Sequence, residues 1–237
     1  MGGAKRYPAI RKNIVGALTQ ISARDGHALD AYLARPASKP RGGIVIAQEM
    51  YGVTGYLRDT CDFYAGHGYL TVAPALYDRR ERNLILEYNQ ENHDRAQNIY
   101  KTWNWDHALE DLDAGKSVVL DAGKAAIVGF CWGGTLAWLA ACRRDYTAAV
   151  AYYGSMMPDF AAETARCPVV AHIGSQDTTM PPARIDLFRE TQPSIPIHMY
   201  AGAQHGFDNP SRVDRFHSQA CQLARERTLD FLAQQVG

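Results

Sequence analysis

The chain has no excess of charge of either sign: 25 lysines and arginines face 25 aspartates and glutamates across 237 residues. That balance leaves no electrostatic footprint for nucleic acid or an anionic membrane. No apolar run approaches the roughly 18 residues of a membrane span. The opening segment, MGGAKRYPAIRKNIVG, is basic but lacks the apolar core and cleavage site of a secretory signal. Cysteines are few. Cys61, Cys131, Cys142, Cys167 and Cys221 are odd in number, scattered and without a Cys-x-x-Cys pair. Reduced thiols in a cytoplasm fit this pattern better than a disulfide framework does. Zinc-type His/Cys spacing, His-Glu-x-x-His and a phosphate-cradling glycine loop are all missing. The expectation is a cytoplasmic protein with no metal, no organic cofactor, no nucleic-acid partner and no membrane partner, either monomeric or a weak homo-oligomer.

Residues with hydrophobic side chains make up 46% of the chain, enough to build a sizeable core without disulfides. No repeat, low-complexity tract or clear linker divides it, so residues 1–237 are expected to form a single domain. Runs near 19–22 and 29–34 flank the turn signal Asp25-Gly26, which predicts an antiparallel hairpin. Short apolar runs then alternate with helical patterns. The runs are 43–48, 69–74, 125–130, 148–154, 167–174 and 195–202, with helices near 181–191 and 211–235. Continuous apolar strands between helices predict an α/β fold, a mostly parallel sheet of about eight strands covered by helices on both faces. Ligands bind beyond the carboxyl ends of such strands, so catalytic residues are expected in the loops that follow them.

Gly129-Phe130-Cys131-Trp132-Gly133 follows one of these strands and opens a helix. It has the spacing of the nucleophile elbow, with cysteine where serine is usual. In that turn the nucleophile is lifted into the site, and the next backbone N–H helps form an oxyanion hole. The helix N-terminus favours a thiolate. A buried, inert cysteine between packing glycines is the plain alternative for this segment alone. Two partners tilt the balance. Asp177 follows the strand at 167–174, and His205 follows the strand at 195–202, in the order acid then histidine. His205 would take the thiol proton, and Asp177 would hold the imidazole tautomer. Asp177 alone could equally be a turn cap. The remaining histidines fall within strands, or in places read as solvent-facing or turns, His93 among them.

Four blocks together resemble the dienelactone hydrolase family, a branch of the α/β-hydrolases with a Cys-Asp-His triad. They are VIAQEMYGV, GYLTVAPALYDR, GFCWGG and AQHGF. The resemblance implies Cys131 as nucleophile, Asp177 as acid and His205 as base, with the backbone N–H groups of Met50 and Trp132 as the oxyanion hole. It implies Glu49 as a buried carboxylate that accepts the thiol proton when substrate binds, against the plainer reading of an arginine partner. It also implies Arg79 as the ligand of a substrate carboxylate; the rival arginines are Arg80, Arg82 and Arg212. Where the family has a second arginine after the histidine, this chain has Asn209, and Asp208 adds a negative charge. The implied reaction is carboxylic ester hydrolysis, with dienelactone (4-carboxymethylenebut-2-en-4-olide) opened to maleylacetate in the breakdown of aromatic compounds. The alternatives are a carboxylesterase of other specificity on the same triad, and a non-catalytic protein that binds or senses redox state through Cys131.

Overall fold

A computed structural model describes residues 15–237 of the chain. The basic opening segment, read above as lacking a secretory signal, lies almost wholly outside the described residues. Eight strands form one sheet in the order β1-β2-β4-β3-β5-β6-β7-β8. The first two, β1 (Val15–Ser22) and β2 (Ala28–Arg35), are an antiparallel hairpin. Its turn uses Gly26 at φ +84°, with the Gly26 N–H donating to the Ala23 carbonyl. β2 runs antiparallel to β4 (Leu70–Pro74); every other pairing is parallel. The parallel set is completed by β3 (Gly43–Ala47), β5 (Ala125–Phe130), β6 (Ala148–Tyr152), β7 (Val169–Gly174) and β8 (Ile197–Tyr200).

Side chains that alternate along these strands feed two cores. Val45 and Ala47 of β3, with Ala125 and Ile127 of β5, join one cluster; Ile44, Ile46, Ala126, Val128 and Phe130 join the other. Both faces of a parallel sheet are buried, so the run is apolar throughout and the period of two sorts it between layers. The first layer is covered by α3 (Trp105–Val119), α4 (Trp132–Arg143) and α5 (Pro182–Thr191), the second by α1 (Gly55–Gly66) and α6 (Ser218–Gln235). A further helix, α2 (Gln90–Lys101), buries only Ala96 fully. Among the described residues no helix is long and apolar enough to cross a membrane.

One boundary departs from the pattern. Residues 211–217, expected to open the last helix, form successive turns instead, held by Phe216 N–H to Arg212 carbonyl and His217 N–H to Phe207 carbonyl. The His217 imidazole then caps α6 by accepting from the Ala220 N–H at 3.2 Å. Asn209-Pro210 starts the turn sequence, since proline disfavours helical geometry in the residue before it.

Candidate active site

Chain order reverses across the sheet between β3 and β5, because β4 lies on one side of β3 and β5 on the other. The loops leaving β3 and β5 therefore diverge, which opens a crevice at the carboxyl ends of the strands. A cavity of about 220 Å³ lies there, lined by Glu49 and Met50 after β3, Cys131 after β5 and His205 after β8.

Cys131 joins β5 to α4 at φ +56° and ψ −117°, a conformation that is costly for a residue with a β-carbon. Its surroundings enforce it. A β-carbon on Gly129 would land on the Gly133 carbonyl, and one on Gly133 on the Ala47 carbonyl. Glycine at both positions lets strand and helix close on the turn. Gly134 and Thr135 donate their N–H groups back to the Cys131 carbonyl, at 2.9 and 3.3 Å. The Trp132 N–H, first of α4, has no acceptor among the described residues, and neither has the Met50 N–H. The Met50 peptide is anchored from behind, where the Tyr77 hydroxyl donates to its carbonyl at 2.8 Å. Trp132 itself stacks on Tyr77 with ring centroids 5.7 Å apart.

Asp177 sits just beyond β7 and His205 just beyond β8. The His205 Nδ1 lies 2.9 Å from Asp177 Oδ2. The other carboxylate oxygen, Oδ1, accepts from the Thr179 hydroxyl at 2.6 Å and the Thr179 N–H at 2.9 Å. Burial works against charge on both partners. The imidazole is nevertheless raised to about 10, because the neighbouring Cys131 sulfur and the Asp177 carboxylate outweigh desolvation. Asp177 is held below the ordinary carboxylate value against the same desolvation, by His205 first and by Thr179. The ring of Tyr153, at a strained φ of +38°, meets the His205 ring edge to face at 5.0 Å.

Glu49 is buried, and among the described residues no arginine forms an ion pair with it. Its Oε2 accepts from the Asn209 amide at 3.0 Å and the Tyr88 hydroxyl at 3.2 Å, and Asn209 also donates to Tyr88 at 2.8 Å. Desolvation raises the Glu49 pKa, opposed by His205 charge and these hydrogen bonds. The plainer reading of an arginine partner fails, because the position that would hold one is Asn209. Asp208 brings no negative charge into the cavity. It is buried behind, paired with Arg225 at 2.9 Å and accepting from Tyr56 at 2.9 Å.

Arg79 is a correction. Its guanidinium clamps Asp111 with two bonds, 2.8 and 2.7 Å, and reaches Asp25 at 2.6 Å. It ties the short turn after β4 to α3 and the hairpin, and it does not line the cavity. Asp111 is fully buried on α3, and an unpaired carboxylate there would be costly, so the guanidinium is committed to it. Arg80 and Arg82 are also occupied elsewhere, at Thr102 and at the Ala28 carbonyl. The cations that line the cavity are Arg212 and Arg215, from the turns after Asn209. Arg212 lies over the Tyr88 ring, 5.4 Å from its centroid.

The segment between Arg80 and Trp105 forms a wall of the cavity through His93, Gln97 and Tyr100 of α2. The solvent-facing reading of His93 is thus corrected. Its ring is half-buried and bonded to Tyr51 at 3.1 Å. Thr179, Tyr88, Tyr153 and Arg215 are further members that sequence reasoning missed. For Thr179 a local signal existed in GSQDTT, a hydroxyl two residues after the acid.

A sheet of this order, with a strained residue between strand and helix facing a histidine–aspartate pair, defines an α/β-hydrolase. Comparison with known proteins narrows this. Residues 29–236 match the family model for the dienelactone hydrolase family, and the chain belongs to that family of hydrolases. A carboxymethylenebutenolidase of Pseudomonas putida is 32% identical over 223 residues, which cover 90% of this chain and 94% of that one. Carboxymethylenebutenolidase 1 of Cupriavidus pinatubonensis is 28% identical over 229 residues, covering 90% and 95%. A crystal structure of a Klebsiella pneumoniae chain provisionally described as a dienelactone hydrolase superposes with a TM-score of 0.85 at 28% identity, over 94% of this chain and 100% of that one.

Proposed function

We propose that this protein cleaves an ester or lactone through Cys131, His205 and Asp177, with dienelactone as substrate and maleylacetate as product. The observation that carries the reading is the cavity in which Cys131, at a strained φ of +56°, shares a wall with His205, itself bonded to Asp177 at 2.9 Å. The Cys131 thiolate attacks the carbonyl carbon. The Met50 and Trp132 N–H groups, without acceptors among the described residues, stabilise the oxyanion. Imidazolium at His205 gives its proton to the leaving oxygen as the thioester forms. Water then adds to the thioester, losing its proton to His205, and the acid departs as the thiol is restored. Burial makes Glu49 a stronger base than an ordinary carboxylate, which suits it to take the thiol proton first, when substrate displaces its neutral partners, and to hand it to His205, the imidazolium that then protonates the leaving oxygen. Arg212 and Arg215 take the carboxylate-binding role expected of Arg79.

Cys131→Ala abolishes turnover in this scheme, and cis- or trans-dienelactone is cleaved faster than neutral aryl esters. A second reading, an esterase for neutral substrates, is favoured by Arg79 being locked to Asp111 and by Asn209 beside Glu49. Turnover of neutral esters only would select it, while unchanged hydrolysis in Cys131→Ala would sink both.

A further inference from the structure

We infer that Tyr51 is a specificity-determining hydrogen-bond donor to substrate, its proton aimed into the cavity by a relay of side chains along α2. The inference rests on the ester-cleaving reading above.

The relay starts at the surface. The Lys101 ammonium donates to Gln97 Oε1 at 2.9 Å. An ammonium has no lone pair, so the atom facing it must be the amide oxygen, and the orientation of the Gln97 amide is settled. Its NH₂ group therefore faces His93, with Nε2 to Nε2 at 2.9 Å. An amide nitrogen only donates, so His93 Nε2 carries no proton and accepts. Burial and the charges of Arg215, Arg212 and His205 lower the His93 pKa, against Asp94, so the ring is neutral at neutral pH. A neutral imidazole with a bare Nε2 holds its proton on Nδ1. That atom lies 3.1 Å from the Tyr51 hydroxyl oxygen and donates to it.

The consequence falls on Tyr51. Its oxygen accepts from His93, so its own O–H cannot point back there. Among the described residues that hydroxyl has no other partner. Tyr51 and His93 line the same cavity as Cys131, His205 and Arg212. Burial raises the Tyr51 pKa, opposed by Arg212 and reinforced by negative charge on Cys131 and Glu49, so the hydroxyl stays a neutral donor. Edge-on contact with Tyr88, centroids 4.6 Å apart, holds the ring in place. A donor fixed in a cavity and left without an acceptor penalises any ligand that offers none. The substrate class selected is an ester or lactone with an acceptor oxygen beyond the scissile carbonyl.

The test is a matched scan of p-nitrophenyl esters, in which an ether oxygen replaces one methylene of the acyl chain at successive positions, methoxyacetate against butyrate being the first pair. Intrinsic reactivity cancels when wild type and Tyr51→Phe are compared. At one position or more, the oxa/methylene ratio of kcat/KM should fall about five- to tenfold in Tyr51→Phe, with its melting temperature nearly unchanged. Identical ratios in the two proteins, at every position, would overturn the donor role and leave the triad reading standing. A wild type that cleaves no ester overturns both. Imidazole ¹⁵N NMR, assigned with His93→Gln, reads the relay itself. A protonated Nδ1 with a bare Nε2 is expected, and the opposite tautomer overturns the inference whatever the kinetics.

Discussion

Replacing Asp177 by asparagine tests the catalytic reading at its most sensitive point. The change is nearly isosteric, so packing is conserved and only hydrogen-bond polarity changes. Oδ1 accepts from both the N–H and the hydroxyl of Thr179, at 2.9 and 2.6 Å. Those donors hold the new amide oxygen on their side. The new NH₂ group must then face His205 Nδ1, where Oδ2 stood at 2.9 Å. Two donors cannot share that contact. Nδ1 keeps its proton only by turning to the neutral Thr179 hydroxyl, also 2.9 Å away; otherwise the proton moves to Nε2 and the imidazole can no longer accept from the thiol. The lost charge-assisted bond costs about 1.5–3 kcal/mol, and the imposed wrong tautomer about 1–3 kcal/mol more. At roughly 1.4 kcal/mol per decade, kcat/KM should fall about a hundred- to ten-thousandfold. The assay is steady-state hydrolysis of a p-nitrophenyl ester, with melting temperature as the folding control. Iodoacetamide alkylation of Cys131, measured alongside, should slow as well, because the base that draws off the thiol proton is disabled. A loss under about tenfold in a folded variant, or alkylation at the wild-type rate, would refute His205–Asp177 as the base pair.

Three further outcomes follow from the charged side chains. A carboxyl whose folded pKa is raised costs stability as pH rises through the unfolded value of about 4.3. Glu49 is in this position, so Glu49→Gln should melt a few degrees above wild type at pH 7 and converge with it below about pH 4; a wild type that melts higher at pH 7 would contradict the desolvation argument. Arg79→Ala leaves Asp111 buried and unpaired, which should cost about 3–5 kcal/mol and show as a much lower melting temperature with KM little changed. Arg212→Ala should do the reverse, raising KM for an anionic lactone about tenfold or more while melting near wild type, and equal KM effects in the two variants would undo the reassignment of the carboxylate-binding role.

What could be read directly from the chain is whatever depends on neighbours in sequence. An apolar run ending in glycine, cysteine and glycine marks a strand turning sharply into a helix, and the elbow follows from sterics within five residues. Asp177 and His205 were legible for the same reason, since each stands just past a strand whose alternating sides feed both cores. The parallel sheet follows from those runs and the helices between them. Tertiary structure alone decided everything that depends on which charge meets which. Arg79 and Asp111 lie 32 residues apart, and nothing near either marks the pair. The Glu49–Tyr88–Asn209 cluster draws on three loops, separated by up to 160 residues. The cavity wall on α2 was hidden because that helix fully buries only Ala96 and is polar from Gln90 to Asn98 apart from it, so its pattern matches a solvated face. Local sterics set a turn from a few consecutive residues, but the partner of a long side chain is whatever the folded surface brings within about 3 Å of it.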